Sequence, residues 1–522
     1  MGQVKIITAQ EAAALLKDGD TFTTSGFVAS SIPEALNKAV EQRFLETGHP
    51  CNLTYIYASS QGNRDGRGAE RYAHKGLLKG FVAAPYAPVP ALGAMALRNE
   101  MEAYNLSQGA LCHLFRDIAA HKPGTITKVG LGTFIDPRNG GGKVNDITTE
   151  DMVELLTIHG QEYLFYPAFP IQVAFLRGSF ADERGNVTLE KEVASLEATS
   201  VAQAVKNSGG IVVVQVEGVV KTGSLDPRLV KIPGINVDYV VVAEPEDHQQ
   251  SLGCGYNRAL CGERRAPDAV AAPLPLSAKK IIGRRGAMAL EPNVVVNLGV
   301  GAPEYVAAVA SEEGIGNQMT LTVESGPVGG IPQGGPRFGA SLNPEAILDQ
   351  GYQFDFYDGG GLDQTFLGLA ECDAKGNINV SRFGPKIAGC GGFINISQNT
   401  HKVYFCGTFT AGGLKVRVED GRVHIDQEGR EKKFLRQVEQ VTFSGDMAIQ
   451  NGQEVSYLTE RCVFVLRPDG LHLTEIAPGI DLQRDILDQM EFTPVIDMVD
   501  GQVPLMDPRI FVDAPMGLGQ TV

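Results

Sequence analysis

The sequence contains no tryptophan, and its histidines and cysteines are scarce and scattered. Its 522 residues include nine histidines and eight cysteines. The cysteines form no C-x-x-C pair, and the histidines form neither an H-x-x-x-H nor an H-E-x-x-H pattern. These absences argue against a zinc site, so we expect no bound metal. In a chain of this size the cysteines are typical of reduced thiols in a cytoplasmic protein.

Long runs of one chemical character are also absent. No apolar stretch reaches the length of a membrane-spanning helix, and residues 1–8 lack the apolar core of a signal peptide. The formal net charge is −16 and no long basic run occurs, so we expect neither nucleic acid nor a membrane as a partner. A G-x-S-x-G motif is missing too, which argues against a serine hydrolase.

The sequence does contain β-branched runs that alternate with helical stretches. Residues 21–25 are strand-like and precede a helix that begins near Pro33-Glu34, where proline suits the first turn. Residues 211–216 are strand-like and follow a helical stretch over 199–207. This alternation predicts an α/β fold with largely parallel sheets, and the chain is long enough for two or more domains.

The second half of the chain repeats features of the first half in the same order. Lys5-Ile-Ile is echoed by Lys280-Ile-Ile, strand-like residues 21–26 by 294–299, and the Asp/Gly/Asn turn of 181–187 by 372–378. Ordered echoes of this kind predict two related domains, and a site between them would draw residues from both. We predict an N-terminal domain over 1–260, an Ala/Pro-rich linker region over 261–277 and a C-terminal domain over 278–522.

Glu324 ends a β-branched run and is followed at once by Ser325-Gly-Pro. The pattern places a carboxylate at the carboxyl end of a strand, which is where ligands collect in α/β sheets. Such a carboxylate can serve as a metal ligand, a general base or a nucleophile. A carboxylate that only caps the turn is the purely structural alternative.

Two other patterns are typical of backbone that approaches a ligand. Residues 297–304 combine a strand end, the turn Gly299-Val-Gly-Ala302 and a helix start, although the third glycine of a dinucleotide loop is missing. Simple packing of a strand on a helix explains that turn equally well. The cluster Gly389-Cys-Gly-Gly-Phe393 offers backbone N–H groups, and Gln108 offers an amide, for an oxyanion hole.

Several long motifs in this order resemble the family I CoA-transferases, and among these the single-chain propionate CoA-transferase type that uses acetate, propionate or lactate. The resemblance covers nearly the whole chain. The motifs include Ser25-Gly-Phe, Glu102-Ala-Tyr-Asn-Leu-Ser-Gln-Gly, Asn297-Leu-Gly-Val-Gly-Ala-Pro-Glu, Val323-Glu-Ser-Gly and Gly389-Cys-Gly-Gly-Phe.

The resemblance implies two tandem related α/β domains with the active site at their interface. It implies CoA transfer between a short-chain acyl-CoA and a short-chain monocarboxylate, by ping-pong chemistry through a glutamyl-CoA thioester. CoA esters are then substrates, so no cofactor is expected, and the family resemblance implies a homotetramer. The residues implied are Glu324 as the nucleophile, Gln108, Gly391 and Gly392 as the oxyanion hole, Gly299, Val300, Gly301 and Ala302 as the CoA-binding turn, and Ser25, Gly26 and Phe27 as the substrate pocket.

The sequence departs from close relatives in residues 82–90. Those relatives tend to carry Gly-His-Trp in this segment, whereas this chain reads Val82-Ala-Ala-Pro-Tyr-Ala-Pro-Val-Pro. The preferred acyl group therefore cannot be predicted from the resemblance. Two further functions stay open at this point: an acyl-CoA hydrolase, and a sensor that binds CoA esters on the same fold without turnover.

Overall fold

The computed structural model describes residues 3–267 and 273–520. The chain divides into two compact units. The first unit contains the described part of Met1–Ala266, together with Val323–Asp355 and Arg382–Asn395. The second contains the described parts of Pro267–Thr322, Phe356–Ser381 and Ile396–Val522. Glu324 thus belongs to the first unit. The predicted domain bounds stay a prediction, and residues 268–272 of the predicted linker lie outside the described residues.

The first unit is built on an eight-stranded sheet in which every strand runs parallel to its neighbours. Its central strands are mostly buried, and every residue of Val173–Arg177 is buried, as expected for a parallel sheet covered on both faces. In spatial order the strands are Lys5–Ile6, Tyr239–Val242, Ile211–Val216, Val173–Arg177, Thr21–Thr24, Leu53–Ile56, Leu78–Ala83 and Glu102–Asn105.

Helices connect these strands, and their ends follow local sequence signals. Pro33 occupies the position before the helix Glu34–Thr47, and Gly48 ends that helix in a left-handed conformation with φ of 74°. The helices of the first unit that precede Glu324 are Ala9–Ala13, Glu34–Thr47, Pro90–Leu97, Gln108–Ala119 and Ala198–Asn207.

Short strands complete the first unit. One small sheet contains Gly218–Val220, Phe180–Asp182, Val187–Thr188 and Val230–Ile232, and another contains Gly124–Thr127, Gln161–Pro167 and Glu154–Ile158. The two later segments add the antiparallel pairs Pro327–Val328 with Ala346–Ile347, Ile331–Pro332 with Ser341–Leu342, and Arg382–Phe383 with Lys386–Ile387. The helices Gln350–Asp358 and Phe393–Gln398 begin within these segments.

The second unit has a mixed sheet whose first strands are parallel. Its strands follow the order Met319–Thr322, Val294–Leu298, Gln364–Gly368, Lys402–Cys406, Glu454–Leu458, Cys462–Arg467, Gly470–Ile476 and Val495–Ile496. Its helices include Ala278–Ala287, Glu304–Glu312 and Gly445–Gln450. Smaller strands are Ile378–Asn379, Glu371–Asp373 and Phe434–Leu435, then Thr410–Ala411 with Glu431–Lys432, and Lys415–Glu419 with Arg422–Gln427. The predicted α/β architecture with parallel sheets is confirmed.

The first unit contains a hairpin at the turn predicted for residues 181–187. Ala181 pairs with Val187 in an antiparallel bridge. The Asp182 carboxylate accepts hydrogen bonds from the N–H groups of Arg184 and Asn186 at 2.8 and 3.0 Å. The Asn186 side-chain oxygen in turn accepts a 2.9 Å bond from the N–H of Gly234. The Asp182 side chain therefore stabilises the turn of the hairpin, and the Asn186 side chain connects the hairpin to Gly234.

The second unit contains the same hairpin at residues 372–378. The Asp373 carboxylate accepts from the N–H groups of Lys375 and Asn377 at 3.0 and 3.2 Å. The Asn377 side-chain oxygen accepts a 2.9 Å bond from the N–H of Gly445. Two units that share so specific a set of contacts are related, as the echoed sequence indicates.

The echo of Lys5-Ile-Ile by Lys280-Ile-Ile is wrong as a structural match. Lys5–Ile6 is a strand, whereas residues 280–282 lie inside the helix Ala278–Ala287. Ser277 caps that helix by accepting a hydrogen bond from the N–H of Lys280 at 3.2 Å. The N-cap, not the apolar Ile-Ile pair, therefore decides the local structure. No helix formed by the described residues is long and apolar enough to cross a membrane.

Candidate active site

Glu324 lies on a tight turn in the first unit. The N–H of Gly326 donates to the carbonyl of Val323 at 3.0 Å, and the N–H of Val323 donates to the carbonyl of Pro327 at 2.9 Å. Gly326 has φ of +130°, and a Cβ there would overlap the carbonyl oxygen of Leu348. Glycine is therefore required at this position, and its close packing fixes the turn that carries the carboxylate.

The residue after Glu324 anchors the turn to the predicted substrate pocket. The buried Ser325 hydroxyl donates to the carbonyl of Gly339. Gly339 has φ of +98°, and a Cβ at Gly339 would overlap the ring of Phe27. Phe27 thus packs on the loop that holds the Glu324 turn. Its neighbours Ser25 and Gly26 are buried beside it, and the pocket role of these residues stays a prediction.

The structure brings Gln108 and Gly391 together. Gln108 is the first residue of the helix Gln108–Ala119 and is 1% exposed. Its backbone N–H donates to the Gly391 carbonyl at 3.2 Å. Gly391 adopts φ of +52°, and a Cβ there would lie 3.9 Å from the Gln108 side-chain oxygen. Gly392 is the next residue and is buried in the turn before the helix Phe393–Gln398.

Two buried residues that the sequence did not single out support the Gln108 amide, one directly and one through the other. Gln108 Nε2 donates to the Ser59 hydroxyl at 3.2 Å. The Ser59 hydroxyl also lies 3.0 Å from Nε2 and 3.2 Å from Oε1 of Gln350. An amide carries two N–H groups, so one bond to Ser59 leaves the second N–H for a ligand. We call this hydrogen-bonded set, Ser59, Gln108 and Gln350, the amide network.

The amide network is connected to the Glu324 turn by backbone contacts. The N–H of Leu348 donates to the Gly326 carbonyl at 2.9 Å, and Gln350 follows two residues later. The Glu324 turn, the amide network and Gly391 are therefore parts of one hydrogen-bonded structure within the first unit. Hydrogen bonds of this kind hold polar side chains in fixed positions before a ligand binds.

Asn105 ties the glycine loop to residues 82–90. The Asn105 amide donates to the carbonyls of Ala83, at 3.1 Å, and Ala84, while its side-chain oxygen accepts from the N–H of Cys390 at 3.1 Å. The N–H of Tyr86 donates to the Ala388 carbonyl at 2.7 Å. The segment that departs from relatives thus supports the predicted oxyanion loop.

Sequence reasoning missed Asn105, Ser59 and Gln350 as site residues. Asn105 ends the strand Glu102–Asn105, and Ser59 follows the strand Leu53–Ile56 by a few residues. A polar residue at the carboxyl end of a predicted parallel strand is the signal that could have found both of them. Gln350 begins a helix and carries no comparable signal.

Burial changes the acid–base behaviour of Glu324. The residue is only partly exposed, and desolvation raises the pKa of its carboxyl above the ordinary value of a glutamate. A hydrogen bond from its own backbone N–H opposes this rise but does not cancel it. A carboxylate that is costly to desolvate is also more basic, which strengthens it as a nucleophile.

The predicted CoA-binding turn lies in the second unit. Gly299, Val300, Gly301 and Ala302 connect the strand Val294–Leu298 to the helix Glu304–Glu312. Val300 is 55% exposed, and Gly301 has φ of 91° with open space where a side chain would stand. The turn presents bare backbone to its surroundings, and its role in binding CoA stays a prediction.

A group of metal-ligand residue types occurs elsewhere in the first unit. Side-chain ligand atoms of Asp18, His49 and Cys51 all lie within 4.8 Å of one another. The Asp18 carboxylate already accepts from His49 Nδ1 at 2.8 Å and from the N–H of Cys51 at 2.9 Å. These bonds explain the cluster as a surface polar contact.

This chain belongs to the coenzyme A transferase family. The family model described as "Coenzyme A transferase" matches residues 6–243. The chain is 49% identical over 520 residues to the caffeate CoA-transferase of Acetobacterium woodii, covering 98% of each protein. It is 45% identical over 518 residues to the acetate CoA-transferase YdiF of Escherichia coli K12, covering 99% of this chain and 97% of that protein.

Solved structures agree with this assignment. The apoenzyme of the acyl-CoA transferase YdiF from E. coli O157:H7 matches with a TM-score of 0.93 and 44% identity, covering 99% of this chain and 98% of that one. A thioester complex of that enzyme with CoA matches with a TM-score of 0.93 and 43% identity. The resemblance to CoA-transferases inferred from the motifs is confirmed.

Proposed function

We propose that this protein moves CoA between a short-chain acyl-CoA and a short-chain monocarboxylate such as acetate, propionate or lactate, with Glu324 as the nucleophile. The observation that carries the proposal is the glycine turn of Glu324, joined through Leu348 and Gln350 to Gln108 and Gly391. The relatives act on acetate and caffeate by name, and one of them has been solved as a thioester complex with CoA.

The first half-reaction loads CoA onto the protein. A Glu324 oxygen attacks the thioester carbonyl carbon, a C–O bond forms, the C–S bond breaks, and CoA thiolate leaves behind an acyl-glutamyl anhydride. The thiolate then attacks the Glu324 Cδ. The new C–S bond forms as the anhydride C–O bond breaks, releasing the free carboxylate and leaving a Glu324–CoA thioester.

The second half-reaction is the reverse with a different acid. An incoming carboxylate attacks the Glu324 thioester and expels CoA thiolate, which then attacks the acyl carbon of the new anhydride. The product acyl-CoA leaves and the Glu324 carboxylate is regenerated. The protein and the two substrates supply every group in this scheme, so the proposal includes no cofactor.

Each step passes through a tetrahedral oxyanion. The second N–H of the Gln108 amide and backbone N–H groups of the Gly391–Gly392 turn are neutral donors suited to that charge. Preorganised donors stabilise a developing oxyanion more than the ground-state carbonyl, which is why they accelerate the reaction. The amide network fixes the Gln108 donor before the substrate arrives.

The test is the intact mass of the protein after mixing with acetyl-CoA in the absence of an acceptor. A CoA-sized adduct should form, and it should disappear when propionate is added, with release of propionyl-CoA. Turnover with acetate labelled with oxygen-18 should place the label in the Glu324 carboxyl. The attacking acetate oxygen becomes the bridging oxygen of the anhydride, and it stays on Glu324 when the acyl group moves to CoA. Absence of an adduct, or label that never enters Glu324, would contradict the proposed mechanism.

The same experiment separates the other two functions. A hydrolase releases free CoA steadily without an acceptor, whereas a transferase stops after one adduct per site. A sensor retains acetyl-CoA unchanged. Because relatives include a caffeate enzyme, the acceptor panel should run from acetate and lactate to an aromatic acid. The homotetramer proposed from the resemblance can be checked on the same preparation by light scattering.

The acid side of the pH profile reports the Glu324 carboxyl. Protonation removes the nucleophile, and burial raises the pKa of Glu324, so kcat/KM should fall on acidification with a midpoint above the ordinary value of about 4.3. The measurement should vary acetyl-CoA, because acceptor carboxylates titrate in the same range. A profile that is flat down to pH about 4.3 would show that no such group is required.

A further inference from the structure

Glu197 is a buried carboxyl that the proposed reaction does not use. The residue is 2% exposed, and neither side-chain oxygen has a hydrogen-bond partner within 3.5 Å among the described residues. Burying a carboxyl without partners is costly, and an unpaired carboxylate costs far more than a neutral acid. A protein keeps such a group only when something offsets the cost.

The ordinary structural explanation does not hold for Glu197. It stands immediately before the helix Ala198–Asn207, where a side chain commonly caps the first turn, but it forms no capping hydrogen bond. Lys231, whose backbone carbonyl accepts from the Thr199 hydroxyl of that helix, is already paired with Asp349 at 2.9 Å. Among the described residues, Glu197 therefore neither caps the helix nor forms an ion pair.

Its surroundings favour the neutral form. Burial raises the pKa of Glu197 to about 8, the Asp349 carboxylate adds to the rise, and the Tyr57 side chain opposes it. The hydroxyl of Tyr57 is itself buried without a partner within 3.5 Å in the described structure. The titratable and charged groups that face this pair are Tyr55, Cys112, Asp349 and, through Asp349, Lys231.

Glu197 is joined to the amide network from two sides. Its neighbour Leu196 adopts φ of +52°, uncommon for a residue with a side chain, and the Leu196 carbonyl accepts the N–H of Gln350 at 2.8 Å. On the other side, Tyr57 lies two residues before Ser59. Ser59 holds the Gln108 amide directly, and Gln350 holds Ser59.

We propose that Glu197 is a positioning residue for CoA transfer, whose neutral carboxyl packs against Tyr57 and so holds residues 57–60 and Gln350 in the arrangement that aims Gln108. This inference rests on the proposed function, because Gln108 is the donor that it positions. Strained backbone, as at Leu196, and buried acids with shifted pKa values, as at Glu197, occur most often at functional sites.

Ionisation of Glu197 should disturb this arrangement. A carboxylate at Glu197 would face the Asp349 carboxylate and have no cation of its own, so it would draw in water or pull on the Tyr57 hydroxyl, which favours the ionised form. Either change would shift Ser59 and Gln350. The proposal therefore links the loss of one proton to loss of the Gln108 donor, and predicts lower turnover with unchanged substrate affinity above pH about 8.

The decisive comparison is the pH profile of kcat for wild type and for Glu197→Gln. Glutamine is neutral, similar in size and able to donate, so the variant should keep wild-type kcat at pH 7 within about threefold. The wild type should lose turnover above pH about 8, and the variant should not. Glu190→Gln is the matched control, since it removes a carboxyl from the same segment, and it should retain the alkaline decline.

Glu197→Ala tests positioning without relying on titration. It should lower kcat by up to about 100-fold, the effect of a misplaced catalytic group, with KM for acetyl-CoA nearly unchanged. Glu197→Gln should restore turnover. If Glu197→Gln still declines above pH 8, or if Glu197→Ala turns over like wild type, the proposal is wrong.

Infrared spectroscopy keeps this test independent of the proposed reaction. The difference spectrum of wild type minus Glu197→Gln should show the C=O band of a protonated carboxylic acid at pH 7, and the band should vanish near pH about 8. Its absence at pH 7 would overturn the neutral carboxyl even if the enzyme is a transferase. If instead the band is present and no CoA adduct forms on Glu324, the proposed function fails and the neutral acid stands.

Discussion

Replacement of Glu324 by alanine is expected to abolish CoA transfer. If the carboxylate forms the covalent intermediate, the variant has no group to accept CoA, and kcat should fall by a factor on the order of 10⁴ to 10⁶. No CoA-sized adduct should form at any time of mixing. Steady-state rates with acetyl-CoA and propionate, together with intact mass, measure both effects.

The fold should survive this change. Glu324 is partly buried and its pKa is raised, so the native structure carries a desolvation cost that alanine removes. Thermal unfolding should therefore occur at the wild-type temperature or above it. Glu345→Gln, which alters an exposed carboxylate in the same unit, should retain wild-type turnover. A Glu324→Ala protein that still transfers CoA, or that still forms the adduct, would rule out the nucleophile.

Replacement of Gln108 by alanine is expected to lower kcat by about 10²- to 10³-fold, the usual cost of losing one oxyanion donor. The adduct on Glu324 should still form, only more slowly, because the nucleophile remains. KM for acetyl-CoA should change little, since the donor acts on charge that develops after binding. Rapid mixing with mass detection gives the rate of adduct formation directly.

Gln42→Ala is the matched control for Gln108. Gln42 is an exposed amide on the helix Glu34–Thr47, where it donates to Glu46 at 2.8 Å, and its removal should leave the rate unchanged. Equal rates for Gln108→Ala and wild type would mean that backbone N–H groups alone serve the oxyanion. Complete loss of the adduct would mean that Gln108 has a role in forming the turn or binding the substrate.

The sequence predicted the features of this protein that depend on nearby residues. The turn after Glu324, the helix start at Pro33 and the two Asp/Gly/Asn hairpins all follow from local conformational preferences of glycine, proline and asparagine. The family resemblance then supplied Gln108 and Gly391 as a pair, and the structure places them 3.2 Å apart between backbone atoms.

The supporting residues could not be predicted in this way. Ser59 and Gln350 form a hydrogen bond across 291 positions of sequence, and no local pattern specifies such a partner. Glu197 reads as an ordinary helix-start carboxylate until its burial is known. The Lys280-Ile-Ile echo failed for a related reason, because two apolar residues in a row suit a buried helix as well as a strand.

The contact between residues 82–90 and the glycine loop bears on how new specificities can arise. The N–H groups of Tyr86 and Ala87 both donate to the Ala388 carbonyl, and Asn105 reaches main-chain groups on each side. Bonds made by the main chain persist when side chains change. Most side chains of this segment are buried, but Pro85 and Ala87 are partly exposed and thus open to change during evolution, or to deliberate redesign, while the backbone still holds the Gly391 loop in place. Under the proposed function, divergence at these two positions would alter which acid is chosen without rebuilding the chemistry.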